Sequence, residues 1–431
     1  MIQHISNHVV GTKAGRILFL TSCPEPWGGS EELWAGTAER MSSLGYEVFA
    51  GRSHGIDRGH PCVVRLAKSG IHVACYQLSM RVRLSRAVMN RVSDHLPVLA
   101  RYFKGDPLLK KVKSLGVELA VISQGGVYDA INDGTNLVSL CEAAGLPYML
   151  ICQKASENTW PSDRNRSYVQ NVFSKAKKIY FVSQHNKALT EQQLGRTLTN
   201  GEVVRNPFMV QTKHPLPWPE VTDGPFKIAS IARLWVRDKG QDLLLSVLAS
   251  EKWRQRPLEV HFYGKGDNGD ALHEMASMLK LSNVRFCGFT QDVTKVWQQC
   301  HALILPSRAE GLPLVLVEAM ICGRVGITTK VGGNAEMIDD GVTGFLAEAP
   351  TVEHIDEVLE RAWNRRHEWK QMGLAASQEI WNRIPEDPCG VFAEKVAQVH
   401  ADIVGSRRKI SAALGKAIHG STSATMVNSA N

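Results

Sequence analysis

The stretch ALILPSRAEGLPLVLVEAMICG (302–323) has the form of a buried strand, a short loop and a helix. ALILP is a continuous apolar run, and such runs are typical of strands covered on both faces of a parallel sheet. Gly311 permits close approach of the backbone, and Pro313 suits the first turn of a helix. Because open α/β sheets bind ligands at the carboxyl ends of their strands, Glu310 is expected at a ligand site. The alternative is that Glu310 only stabilises a helix N-terminus and Glu318 is a satisfied polar residue.

The same alternation of apolar runs and helix-like segments extends along most of the chain. The runs of the first half are RILFLTS (16–22), YEVFA (46–50), ELAVIS (118–123), YMLIC (148–152) and KIYFVS (178–183). Those of the second half are KIASIA (227–232), LEVHFYG (258–264), VRFCG (284–288), ALILP (302–306) and VGITT (325–329). This pattern predicts an α/β protein with two doubly wound, Rossmann-like domains that face each other across a cleft.

The expected domain boundaries follow from the break between the two halves. Residues 205–226 are rich in Pro and polar side chains, which is typical of a linker. We predict an N-terminal domain over 1–208, a linker over 209–226, a C-terminal domain over 227–385, a helix over 386–404 that returns to the N-terminal domain, and a largely disordered tail over 405–431. A chain of 431 residues is also too long for one ordinary core.

Composition restricts the class of protein further. The chain is 44% hydrophobic and 21% charged, as in an ordinary globular protein, and no run approaches the ~18 apolar residues of a membrane helix. Its N-terminus lacks the apolar core of a secretory signal, and its nine cysteines are scattered without a CxxC pair. The sequence therefore predicts a cytoplasmic protein with reduced thiols and no metal site built from cysteine.

Positive charge is concentrated in residues 81–113. This segment holds nine Lys and Arg against Asp94 and Asp106, in a chain of net charge +8. One interpretation is a solvated helix face whose aliphatic stems cover apolar surface. The other is a patch for an anionic partner, either the inner face of a membrane or a phosphate-bearing substrate. Nucleic acid is not expected as a partner, because no nucleic-acid-binding motif accompanies the charge.

Two cations follow the first strand of the C-terminal domain. Arg233 and Lys239 lie in SIARLWVRDKGQDLLL (230–245), in the loop before a helix. A guanidinium and an ammonium at a strand's carboxyl end suit a pair of phosphates, although a solvated surface loop is the alternative.

Glycine pairs open two other predicted helices. Gly332 and Gly333 stand in TKVGGNAEMI (329–338), and Gly28 and Gly29 in CPEPWGGSEELWAGTAERM (23–41). At a helix N-terminus, glycine lets backbone N–H groups approach an anion such as a diphosphate. The N–H groups of Gly311 and Leu312 are expected to do the same.

Taken together in their order, these motifs resemble the retaining, nucleotide-sugar-dependent glycosyltransferases of the GT-B fold, the group that shares the donor domain of glycogen and sucrose synthases. The similarity spans about 15–404. It rests on GGSE, IARLWVRDKGQDLLL, VHFYGKGD, VRFCGFTQDV, LILPSRAEGLPLVLVEAM and VGGNAEMIDDGVTGFL. The resemblance implies transfer of a sugar from a UDP- or GDP-sugar to a hydroxyl of a glycan, lipid-linked or small-molecule acceptor, with retention of configuration.

The resemblance also implies roles for single residues. Arg233 and Lys239 would bind the donor diphosphate in place of a metal ion, so neither a metal nor a further cofactor is expected. Glu310 would face hydroxyls of the donor sugar, and Glu318 those of the ribose. Residues along the sugar and phosphates would be Gly311, Leu312, Pro313, Gly332 and Gly333, with Gly28 and Gly29 closing from the other domain.

One position departs from the family pattern. Many relatives have a histidine where YMLICQ (148–153) ends here in Gln153, which can hydrogen-bond to a sugar but does not titrate near neutral pH. Two other functions remain open from the residues. One is a non-catalytic nucleotide-sugar-binding or peripheral membrane protein, and the other is a different activity on the same fold, such as an epimerase or a phosphorylase.

Overall fold

The computed structural model describes residues 14–23, 27–52, 58–75, 107–132, 137–220 and 224–424, with side chains as far as residue 406 except those of Cys75 and Asn132. In these residues the chain forms one parallel sheet of seven strands and a second of six. The predicted α/β class, with two doubly wound Rossmann-like domains, is therefore confirmed.

The first sheet has the order β3-β2-β1-β4-β5-β6-β7. Its strands are β1 Arg16–Thr21, β2 Glu47–Arg52, β3 His72–Cys75, β4 Leu119–Gly126, β5 Tyr148–Lys154, β6 Ile179–Phe181 and β7 Gly201–Val203. The described helices of this domain are α1 Gly29–Ser43, α2 Pro61–Lys68, α3 Pro107–Ser114, α4 Asp129–Asn132, α5 Leu137–Ala144, α6 Asp163–Lys175 and α7 Gln184–Leu194. The central strands β1, β4 and β5 are buried on both faces, as their continuous apolar runs indicate.

The second sheet has the order β10-β9-β8-β11-β12-β13. Its strands are β8 Phe226–Ile231, β9 Leu258–Tyr263, β10 Val284–Gly288, β11 Ala302–Leu305, β12 Val325–Thr329 and β13 Gly344–Ala347. The helices are α8 Val236–Lys239, α9 Gln241–Leu248, α10 Glu251–Gln255, α11 Gly269–Met278, α12 Val293–Trp297, α13 Leu314–Ile321, α14 Asn334–Met337, α15 Val352–Asn364 and α16 Trp369–Arg383, with a 3-10 turn at Arg366–Glu368. The neighbouring strands β8, β11 and β12 end on one edge of the sheet and carry the loops of the candidate site.

A buried arginine fixes the linker to the second domain. Arg324 is only 1% exposed, and its guanidinium donates to the carbonyl oxygens of Trp297 (2.8 Å), Cys322 (2.9 Å) and Pro217 (2.7 Å). Burial lowers its pKa to about 10. Because Pro217 belongs to the linker, Arg324 holds this part of the linker in place.

The last helix, α17, spans Pro388–Ala424 and packs on the first domain. Phe392 meets the ring of Tyr180 edge-on at 4.9 Å, and Cys389 lies against the backbone of α1. The prediction that the helix ends at 404 and that 405–431 is largely disordered is wrong as far as residue 424. The segment RRKISAALGKA (407–417) contains no proline and is rich in Arg, Lys, Ala and Leu, which are strong helix formers.

Most of the basic segment 81–113 lies outside the described residues, including Arg81, Arg83, Arg86 and Arg91. In its described part, α3 buries Leu108, Leu109 and Val112, while its lysines are exposed. That arrangement matches a solvated helix face over 107–113. For the rest of the segment, the proposed patch for an anionic partner stays a prediction.

All nine cysteines lie in the described part of the chain, and the eight whose side chains are described are free thiols. None of the described helices combines the length and the apolar character needed to cross a membrane.

Candidate functional site

Glu310 is a buried carboxylate at the carboxyl end of β11. It is 5% exposed, and both of its oxygens accept hydrogen bonds from Lys239 Nζ at 2.8 Å. Ser307 Oγ also donates to Glu310 Oε1, at 2.7 Å. A buried charge is tolerated only when it is paired and hydrogen-bonded, and these contacts meet that requirement.

Lys239 reaches Glu310 because two βα loops of the second sheet pack against each other. It ends α8, and the next residue, Gly240, has φ +65°. A Cβ on Gly240 would lie 2.0 Å from the carbonyl oxygen of Pro306, so only glycine fits at this contact. Arg233 lies in the same loop with an exposed side chain, and its carbonyl accepts from Gln241 Nε2 at 2.8 Å. Both predicted cations thus lie in one loop at the cleft edge of the sheet.

The glycines after β12 interlock with the Glu310 loop. Gly332 has φ +54°, and a Cβ there would lie 2.2 Å from the carbonyl oxygen of Glu310. The Gly333 N–H donates to the carbonyl oxygen of Gly311 at 2.6 Å. The loops after β8, β11 and β12 therefore form one continuous surface of backbone with little room for side chains.

Leu312 and Pro313 lead into α13, and Pro313 differs in detail from the prediction. Leu312 buries its side chain, so only its backbone is available to a ligand. Pro313 is the N-cap residue, and α13 begins at Leu314 rather than at Pro313. An N-cap takes an extended backbone conformation, which proline with ψ 123° satisfies without loss of a hydrogen bond.

The first domain approaches this surface closely at two of the predicted positions. A Cβ on Gly311 would lie 1.9 Å from the carbonyl oxygen of Gln153, at the end of β5. A Cβ on Gly29, the first residue of α1, would lie 2.8 Å from Leu314 Cδ1. Gly28 is the N-cap of α1. The structure therefore brings Gln153 and the Gly28–Gly29 loop against the start of α13.

Gln153 carries an unsatisfied polar group. Its side chain is 5% exposed, and its Oε1 accepts from Asn206 Nδ2 at 2.8 Å. Its Nε2 and the Oδ1 of Asn206 are buried without a hydrogen-bond partner. Leaving such groups unpaired typically destabilises a protein by about 1–3 kcal/mol each, so both atoms are candidates for a hydrogen bond to water or to a ligand.

Glu318 lies on α13 and faces the linker. It is 4% exposed, and its Oε1 accepts from the backbone N–H of Met209 at 2.9 Å. Burial raises the pKa of Glu318 to about 7, and the hydrogen bond from Met209 opposes that shift. Its predicted contact with ribose hydroxyls stays a prediction.

Two ion-paired contacts hold the domains together at the edge of the cleft. Lys154 Nζ lies 2.5 Å from Asp238 Oδ2 in α8. Glu336 in α14 accepts from Arg205 Nη1 and from the backbone N–H of His185, each at 2.9 Å. Sequence reasoning missed Arg205 and Asn206, because their partners Glu336 and Gln153 are distant in sequence and the polar RN pair before Pro207 was their only local signal. It also missed Ser307, although its partner Glu310 lies only three residues further along the chain.

Comparison with known proteins gives the class of this molecule. Residues 225–364 match the family model described as Glycosyl transferases group 1. In structure, the chain is similar to HepE of Anabaena in complex with UDP, with a TM-score of 0.68 at 18% identity over 89% of this chain and 100% of that one. The chain thus has the GT-B fold, and residues 225–364 of its second domain are similar to the group 1 glycosyl transferases.

Two curated relatives are similar over shorter stretches. The chain is 24% identical to an uncharacterized glycosyltransferase of Methanocaldococcus jannaschii, over 56% of this chain and 65% of that protein. It is 30% identical to the glycogen synthase of Pseudomonas syringae pv. tomato, over 33% of this chain and 30% of that protein. The matches thus span less than two thirds of the length of either relative.

Proposed function

We propose that this chain is a glycosyltransferase that moves a sugar from a UDP-sugar to an acceptor hydroxyl, with retention of configuration and without a metal or other cofactor. The observation that carries the proposal is the Lys239–Glu310 pair at the carboxyl end of the second sheet, directly opposite Gln153 of the first domain. HepE, which has the same fold, was crystallised with UDP and with UDP-glucose, which supports the choice of UDP over GDP.

In the proposed reaction the bond between the sugar's anomeric carbon and the diphosphate oxygen breaks, and a bond to the acceptor oxygen forms. Negative charge develops on the departing diphosphate, where Lys239 and Arg233 stabilise it. The acceptor hydroxyl attacks from the side of the leaving group, and a departing phosphate oxygen takes its proton. The acceptor is a glycan, a lipid-linked sugar or a small molecule with a free hydroxyl group.

Glu310 orients the sugar in this proposal and is not the nucleophile. A carboxylate offers about four acceptor positions, and the two bonds from Lys239 with the one from Ser307 use three of them. The fourth is available to a sugar hydroxyl. A carboxylate so engaged is a poor nucleophile, which disfavours a double displacement through Glu310.

Gln153 and Asn206 bind further sugar hydroxyls. A hydroxyl both donates and accepts, so one or two of them satisfy the unpaired Gln153 Nε2 and Asn206 Oδ1. An amide in place of the histidine of many relatives keeps this contact independent of pH near neutrality.

We infer that the protein acts in the cytoplasm beside the inner face of a membrane. The clustering of nine cations in 81–113 motivates this inference, since such segments are attracted to anionic lipids.

The proposed function is tested by incubating the purified chain with UDP-, GDP- and ADP-sugars and measuring thermal unfolding and donor turnover. A UDP-sugar at ~100-fold its Kd stabilises the fold by about 2.7 kcal/mol and raises Tm by a few degrees. It should also be turned over, by hydrolysis or by transfer to an acceptor, and the first-formed product should keep the anomeric configuration of the donor by proton NMR.

Other outcomes of this assay would identify the alternatives. An epimerised donor would indicate an epimerase, and dependence on inorganic phosphate would indicate a phosphorylase. Binding of a nucleotide sugar without any turnover would favour a non-catalytic protein, and an inverted product would overturn retention.

Nucleotide affinity is expected to increase as pH rises through about 7 if Glu318 accepts hydrogen bonds from ribose. Hydroxyl donors favour the charged carboxylate, so the pKa of Glu318, which is about 7 in the free protein, falls on binding and a proton is released. UDP titration calorimetry between about pH 6 and 8 should give an affinity that increases with pH and levels off above it.

The matched variant is Glu318→Gln, which has no titrating group at this position. It should bind UDP more weakly and with a smaller pH dependence, which comes from the terminal phosphate of UDP. The raised pKa of Glu318 also affects the stability of the unliganded protein, because the folded state disfavours the charged carboxylate. The free energy of unfolding should therefore fall as pH rises from 4.5, the pKa of Glu318 in the unfolded chain, to about 7, its pKa in the folded protein. In Glu318→Gln this contribution should vanish. A wild-type affinity that does not change over this range would contradict the ribose contact.

A further inference from the structure

Trp160 is a large aromatic side chain left on the surface of the first domain. It is 60% exposed, in the loop between β5 and α6. Its neighbours Asn158, Thr159 and Ser162 are also exposed, whereas Pro161 is buried and anchors the loop. The indole is therefore a single apolar surface surrounded by polar groups, unlike the continuous apolar patch of a protein interface.

The indole is fixed by a short series of hydrogen bonds. Trp160 Nε1 donates to the carbonyl oxygen of Glu157 at 2.9 Å. Glu157 Oε1 lies 3.2 Å from His185 Nε2, and this contact raises the pKa of His185. A ring held in this way loses little conformational freedom when a ligand binds, which favours a recognition role.

The same contacts place the loop at the rim of the cleft. The backbone N–H of His185 donates to Glu336 of the second domain, and Lys154, where β5 ends, is paired with Asp238. The loop that carries Trp160 thus begins at the Lys154–Asp238 ion pair between the domains. Through Glu157 and His185 it is also connected to Glu336 of the second domain. The loop that carries Trp160 therefore lies next to the contacts between the two domains.

We propose that Trp160 is a platform on which a sugar ring of the acceptor stacks, with Glu157, Asn158 and Thr159 beside it to bind ring hydroxyls. This proposal rests on the proposed function and names the acceptor class as a saccharide. A sugar ring has one weakly polar face of C–H groups and an edge of hydroxyls, which matches an isolated indole surrounded by polar side chains.

The test is saturation-transfer NMR on the full chain with UDP present, using the methyl glycosides of glucose, galactose, mannose and N-acetylglucosamine. At least one glycoside should bind the wild type, and Trp160→Ala should weaken its binding about tenfold, equivalent to about 1.4 kcal/mol. Trp160→Phe should retain most of the affinity. Leu44→Ala is the matched control, since Leu44 is 57% exposed in the same domain but lies after the end of α1, away from the cleft.

Two results would overturn the proposal: no binding of any of these glycosides to the wild type, or equal binding to the wild type and Trp160→Ala. Its failure is distinguishable from failure of the proposed function, because donor hydrolysis is measured separately. The expected combination is hydrolysis of a UDP-sugar by the wild type and by Leu44→Ala, together with weakened glycoside binding by Trp160→Ala. Glycoside binding by a chain that never turns over a UDP-sugar would refute the transferase and leave the platform intact.

Discussion

Replacing Lys239 with alanine is expected to reduce the rate constant of sugar transfer by about two to three orders of magnitude. The ammonium group lies 2.8 Å from both oxygens of Glu310, and the side chain of Lys239 is more buried than that of Arg233. In the proposed reaction it stabilises charge that develops only as the diphosphate leaves, so its loss should lower kcat more than it weakens donor binding. Steady-state kinetics with a saturating UDP-sugar measure the effect.

Loss of Lys239 also leaves Glu310 buried without its cationic partner, which by itself would destabilise the fold. The double variant Lys239→Ala, Glu310→Gln separates the two effects, because a neutral amide needs no counterion. It should regain much of the thermal stability and none of the activity. Lys370→Ala, a change to an exposed lysine of α16, is the matched control and should leave both unchanged. A Lys239→Ala enzyme with near-normal kcat would remove Lys239 from the mechanism.

The architecture follows from local sequence because its central strands are uninterrupted apolar runs. ELAVIS and KIASIA become β4 and β8, each buried in the interior of a sheet. The strands that the runs did not predict are β3, β7 and β13, and each of them is a short strand at the edge of its sheet. Edge strands have one neighbour and a mixed composition, so hydrophobic pattern alone indicates them poorly.

The site was only partly predictable, because its geometry depends on contacts between distant segments. Carboxylates and cations at the carboxyl ends of strands indicated that a ligand binds at this edge of the sheet. The family resemblance then implied roles for Glu310 and Lys239 in binding the donor. Nothing local to Glu318 indicated that the linker amide of Met209 would bind it, and nothing near Gln153 indicated Asn206. The contact of Met209 with Glu318 arises only when the linker folds back along α13.

The two buried glutamates of 302–323 have different surroundings in spite of their similar exposure. Glu310 has a cation and a hydroxyl beside it, whereas Glu318 has one backbone amide and a pKa raised to about 7. Glu310 is thus held in place by its partners, with one acceptor position left for a hydroxyl of the donor sugar. Glu318 is suited to a ligand whose binding supplies the missing donors, which is the arrangement expected for ribose hydroxyls.

Substituting Gly311 with alanine is expected to reduce transfer by at least about 100-fold while each domain stays folded. The new Cβ would lie 1.9 Å from the carbonyl oxygen of Gln153 and 2.9 Å from Val182 Cγ2, both in the first domain. Backbone at the end of β5 cannot rotate away as a flexible side chain can, so the clash must separate the domains. Separation moves Gln153 and Asn206 away from Glu310, and a displacement of about 1 Å is enough to cost two orders of magnitude in rate.

Three measurements on the Gly311→Ala variant test this expectation together. Steady-state kinetics should show the lost turnover, UDP calorimetry should show that the second domain still binds nucleotide, and small-angle X-ray scattering should show a larger radius of gyration than the wild type. The matched control is Gly224→Ala, because a Cβ on Gly224 would have no atom within 4 Å. If Gly311→Ala kept wild-type turnover and dimensions, the close approach of Gly311 to Gln153 would not be a feature of the active enzyme, and the sugar site would have to be built from the second domain alone.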